Sequence, residues 1–211
     1  MPDTRARAPQ GSPTSDVRKV AVGRGLRVGL QLALLAIALA RPSVAAAETR
    51  VYLLRGWFNV FSTGMDGMAE ALRAKGIDAR VIGHLAWKSA TEEIVSDEAA
   101  GKTLRLVFVG HSQGANNAID MARELQSHGI AIDLLITLAP FMQNPVPANV
   151  VRAVNYYQSP GWGSALTADA DFKGDLSNVN IAGEVGVFHI TIDKDSRIQA
   201  QVLAAIAALP R

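Results

Sequence analysis

The sequence predicts an α/β fold: a doubly wound, mostly parallel sheet of about six strands with helices on both faces. Three observations predict it. Short apolar runs alternate almost throughout with segments whose apolar residues recur at helical spacing. The run 132–138 is continuously apolar, as a strand covered on both faces requires. And Gly110-His111-Ser112-Gln113-Gly114 lies between an apolar strand (104–109) and a helical stretch (115–128). G-x-S-x-G in that setting forms a sharp strand-to-helix turn with the serine at its apex. Side chains two positions either side of Ser112 would collide there, which is what the two glycines avoid.

The elements follow in order. Val51, Tyr52, Leu53 and Leu54 form a first strand ending at Arg55-Gly56-Trp57. Thr63 and Asp66 have the spacing of a capping box, Met65, Met68, Ala69 and Leu72 make one helix face, and Gly76 ends it. Residues 77–82 read as a second strand, and Ser89 with Glu92 marks another helix start. After the Ser112 turn, Ala115, Ile119, Ala122 and Leu125 line the inner face of a helix. Strands are then expected at 132–138, 150–157 and, more weakly, 179–182, with a Gly/Asp-rich loop over 158–174. A last helix begins near Asp195, with Asp193 and Asp195 as capping residues and Ile198, Val202, Ile206 and Leu209 inward.

The 211 residues divide into an N-terminal signal segment (1–47) and one domain (48–211). Arg18, Lys19, Arg24 and Arg27 precede the 13 uncharged residues 28–40, and Val44-Ala45-Ala46-Ala47 supplies small residues for cleavage. This pattern over about 18–47 predicts export to a bacterial periplasm or out of the cell. If the segment is uncleaved, it is a membrane anchor. Seven of the 21 Lys/Arg and two of the 19 Asp/Glu lie in 1–47, which leaves the domain with a net charge of −3. Nothing there recommends nucleic acid as a partner. The absence of Cys excludes disulfides and thiolate metal sites. No phosphate loop, dinucleotide fingerprint or metal-ligand spacing is present, so the sequence calls for no cofactor and no metal.

A serine hydroxyl needs a base to become a nucleophile. Of the four histidines, His111 adjoins Ser112 and points elsewhere on the turn, His128 sits at a helix end, and His84 closes the second strand. His189 falls between the last strand and the last helix, overhanging the strand ends where open α/β sheets bind ligands. It is the preferred base.

Gly110-His111-Ser112-Gln113-Gly114 after a strand, with His189 before a C-terminal helix, resembles the alpha/beta-hydrolase superfamily. The likeness is to its small lipase-, esterase- and thioesterase-like members and covers about residues 50–209 as a minimal core without a cap domain. It implies hydrolysis of carboxylic esters or thioesters of small or lipid-like molecules, with Ser112 as nucleophile, His189 as proton shuttle and a carboxylate orienting His189. The backbone N–H groups of Gln113 and of Trp57, in the loop Gly56-Trp57-Phe58, are the implied oxyanion donors. The sequence departs at the acid, because the strand ending Asn155-Tyr156-Tyr157-Gln158-Ser159 carries none. Asp169, Asp171, Asp175 and Glu184 remain as candidates, of which Asp175 is preferred. Trp57, Phe58, Phe141, Met142 and Trp162 either line an acyl pocket or simply cover the sheet. An alternative from another class is a non-catalytic binding or partner protein on the same fold with an incomplete triad.

Overall fold

Every strand of the sheet runs in the same direction. The computed structural model describes residues 47–57 and 60–210; residues 1–46, where the sequence predicts a signal segment, and Phe58 lie outside the described residues. The strands are β1 (Glu48–Leu54), β2 (Asp78–Ile82), β3 (Leu104–His111), β4 (Leu134–Leu138), β5 (Arg152–Tyr157) and β6 (Asp175–Asn180). They lie in the order β2-β1-β3-β4-β5-β6, all parallel. Among the described residues four α-helices connect or follow them: α1 (Gly64–Arg73), α2 (Trp87–Ala99), α3 (Gln113–Ser127) and α4 (Ser196–Ala207).

The central strands are buried at almost every position because successive side chains enter two different cores. Val51, Leu53, Val107, Val109 and Ile136 face Met65, Met68 and Leu72 of α1 and Ile198, Val202 and Ile206 of α4. Tyr52, Leu54, Leu106, Phe108 and Leu135 face Ile94 of α2 and Ile119, Ala122 and Leu125 of α3. Each such fully buried aliphatic side chain contributes about 1.5–3 kcal/mol.

Three local expectations differ from the structure. The Thr63 side chain makes no cap hydrogen bond; instead Asp193 Oδ2, 129 positions later, accepts from the Gly64 N–H at 2.8 Å. Asp193 therefore caps the first helix, while Asp195 alone caps α4, accepting from the N–H groups of Arg197 and Ile198. The sixth strand begins at Asp175 rather than at residue 179. It is an edge strand in which only Leu176 and Val179 are apolar, so it offers no apolar run by which the sequence would reveal it.

Candidate active site

Ser112 stands between β3 and α3 with φ 57° and ψ −124°, a conformation that L-residues avoid and that costs on the order of 1–3 kcal/mol. Its surroundings enforce the turn. The Ser112 N–H donates to Leu138 O at the end of β4 (2.9 Å), and Ser112 O accepts from Ala115 N–H (3.0 Å). A Cβ on Gly110 would lie 2.4 Å from Gly114 O, and one on Gly114 would lie 2.3 Å from Leu54 O. The end of β1 thus presses on the first turn of α3, and the 55–57 loop is held beside Gln113. Asn116, fully buried, ties down the opposite wall: its Oδ1 accepts from Phe141 and Met142 N–H at 2.8 and 3.0 Å.

The structure brings His189 to Ser112. Nε2 of His189 is 3.0 Å from Ser112 Oγ, across 77 positions of sequence. The His189 ring lies between Trp162 and His111, at centroid separations of 4.7 and 5.1 Å. Burial, and secondarily the neighbouring His111, lower its pKa to about 4 against a smaller upward pull from Asp193. At neutral pH His189 is an uncharged imidazole.

His111 takes part in a way that sequence reasoning missed. Its Nε2 is 2.7 Å from the His189 carbonyl oxygen, so Nε2 carries the proton and donates. Its Nδ1 then accepts from the Ser62 hydroxyl (2.8 Å), whose Oγ accepts from Gly56 N–H (2.9 Å). One chain of hydrogen bonds thus joins the loop after β1 to the backbone of His189. With Gly56 N–H committed to Ser62, Trp57 supplies the next N–H along that loop. The only sequence signal for this chain is a histidine beside the turn.

Among the described residues none of Asp169, Asp171, Asp175 and Glu184 hydrogen-bonds to His189, whose Nδ1 has no partner. Asp175 opens β6 beside Arg152, which opens β5. In a parallel sheet strand beginnings and strand ends lie on opposite rims, so Asp175 is separated from the Ser112 rim by the length of a strand, about 17–20 Å. Asp169 pairs with Arg123 at 2.7 Å and Glu184 with Arg197 at 2.6 Å. Gln158, at the end of β5, donates from Nε2 to Val187 O in the His189 loop (3.2 Å).

Beside Ser112 lies a cavity of about 160 Å³ whose lining includes Trp57, Phe61, His189 and Ile190. Around it Trp57, Phe61, Phe141, Met142 and Trp162 are about half exposed, and the Trp57 and Phe141 rings meet at a tilt with centroids 5.1 Å apart. A strand order of 2-1-3-4-5-6, the Ser112 turn after β3 and His189 after β6 are now all in place. The fold is that of an alpha/beta-hydrolase.

No protein-family model and no curated protein matches the sequence. Among solved structures, the chain is similar to the NocB thioesterase domain from the nocardicin cluster at 14% identity (TM-score 0.46; 77% of this chain, 93% of that one). It is also similar to the type II thioesterase BorB from the borrelidin biosynthetic cluster at 12% identity (TM-score 0.45; 79% and 95%). Human thioesterase 2 matches at 10% identity (TM-score 0.48; 78% and 100%). What the site can do follows from its own geometry.

The buried imidazole makes stability depend on acidity. His111 is 1% exposed, and burial lowers its pKa from 6.5 to about 4. Below about pH 6.5 the unfolded chain takes up a proton that the folded one refuses, so stability falls as the pH drops through that window. The expected loss between about pH 7 and pH 4.5 is roughly 2–3 kcal/mol from His111. His189 adds in the same sense, and Asp193, whose carboxyl burial pushes up, opposes it. Urea unfolding at the two pH values measures this; an equal loss in His111→Gln would remove His111 as its source.

Proposed function

We propose that this chain is an exported serine hydrolase that cleaves carboxylic esters or thioesters through an acyl-enzyme on Ser112. The observation that carries the proposal is the Oγ of a serine at a strained strand-to-helix apex, 3.0 Å from a neutral imidazole, beside an apolar cavity. His189 Nε2 takes the hydroxyl proton as Oγ attacks the substrate carbonyl carbon. The N–H groups of Gln113 and Trp57 hold the resulting oxyanion; one such donor is worth about 2.7–4 kcal/mol of barrier. The C–O or C–S bond then breaks, and the leaving group receives the proton from His189. A water deprotonated by His189 releases the acid and regenerates Ser112.

Export rests on the N-terminal pattern. Cleavage after Ala47 leaves Glu48, the first residue of β1, at the new terminus, so the sheet keeps its whole first strand.

The test is treatment of the protein with a fluorophosphonate. A single adduct is expected on Ser112, and the intact mass is expected to correspond to a chain starting at Glu48. A folded protein that stays unlabelled, or carries the adduct elsewhere, sinks the hydrolase proposal. A mass that still includes 1–47 sinks only cleavage.

A further inference from the structure

The departure at the acid position has a replacement four residues after the base. A neutral His189 that accepts the Ser112 proton at Nε2 must carry its own proton on Nδ1. That Nδ1 is buried and has no hydrogen-bond partner among the described residues. A buried donor left unpaired costs about 1–3 kcal/mol, so the site needs an acceptor. The rings flanking His189 do not provide one: both nitrogens of His111 are engaged, and the Trp162 indole only donates.

Asp193 is 0% exposed. Its Oδ2 is satisfied by Gly64 N–H, while its Oδ1 is buried without a partner. The backbone between the two residues folds back in successive turns: Ile192 N–H donates to Phe188 O at 2.9 Å and Asp195 N–H to Thr191 O at 3.0 Å. The turns bring residue 193 back toward residue 189, near enough for the Asp193 charge to act on the His189 ring. A buried unpaired donor and a buried unpaired acceptor therefore sit four residues apart in the same folded-back segment. A helix cap uses one carboxylate oxygen, so capping α1 leaves the other free.

We propose that Asp193 is the positioning residue for His189, its Oδ1 receiving the Nδ1 proton and fixing the tautomer that turns the Nε2 lone pair toward Ser112. This rests on the hydrolase reading for its catalytic consequence, though not for its geometry. When His189 takes the Ser112 proton, the carboxylate stabilises the imidazolium without itself being protonated. The chain order is then nucleophile, histidine, acid.

The test is Asp193→Asn in the full domain, because Asn keeps an oxygen for Gly64 N–H and places an amide N–H₂ opposite Nδ1. Donor facing donor drives the ring to the other tautomer. The expected result is a fall in kcat of roughly 10³–10⁴-fold with KM within about threefold. In ¹⁵N-histidine-labelled protein, wild type should show a strongly deshielded Nδ1 proton on His189, and Asp193→Asn should show the proton on Nε2. Activity within about tenfold of wild type, or a kcat loss with the Nδ1 proton unchanged, overturns the proposal. If Asp193→Asn fails to fold, the wild-type spectrum decides alone, and absence of the deshielded proton overturns it. A wild type that neither turns over esters nor labels at Ser112 defeats the hydrolase reading, while the tautomer shift still decides the placement of Asp193.

Discussion

His189→Ala is expected to lower kcat for a p-nitrophenyl ester by about 10⁴–10⁶-fold, with KM little changed. The size follows from what the imidazole does. Without it, Ser112 Oγ has no acceptor 3.0 Å away for its proton, and an unactivated alcohol is a poor nucleophile at neutral pH. Ser112→Ala should produce a loss of the same order, and the double variant should be no worse than either single one. Groups that act as a unit are lost as a unit. Steady-state kinetics on the three purified variants, with folding checked by circular dichroism, measures this. A His189→Ala enzyme within tenfold of wild type would refute the assignment of the base.

The second large effect concerns the turn itself. Gly114→Ala is expected to destabilise the protein by about 3 kcal/mol or more. The added methyl would sit 2.3 Å from Leu54 O and 2.7 Å from Arg55 O. Both are backbone atoms, so no side chain can swing aside. Relief requires the end of β1 to move away from α3, and with it Gly56 and Trp57. Gly67→Ala is the matched control: it lies in α1, exposed, with nothing within 4 Å of the added Cβ. That change should stabilise by about 0.5–1 kcal/mol through helix propensity and the unfolded chain. Urea denaturation reads both, and a Gly114→Ala midpoint equal to wild type would show that the clash is relieved without cost.

What the sequence revealed depended on how local each cause was. The turn at Ser112 was legible because its steric demand falls on Gly110 and Gly114, two positions away. His189 was legible because its place between the last strand and the last helix fixes the rim on which it emerges. Asp175 was misplaced through the boundary of β6: once the strand starts at Asp175, parallel pairing with Arg152 consigns that carboxylate to the far rim. Asp193 was read as a cap for α4 from its proximity in sequence, whereas Gly64, the group it caps, belongs to the other end of the domain. The spacing of four between His189 and Asp193 was the available signal. It gained meaning only once 188–195 proved to fold back in successive turns with the Asp193 carboxylate buried. The link through His111 was invisible for the same reason, since Ser62 and the His189 carbonyl reach it from loops 49 and 78 positions distant.

That distance between the alcohol and its imidazole has a consequence for how the molecule comes into being. A growing polypeptide exposes Ser112 long before it contains His189, and the turn bearing His189 is fastened only when its carboxylate meets Gly64 near the start of the domain. On the proposed mechanism, reactivity arrives with the final segment, and a copy clipped before His189 lacks the base that Ser112 needs.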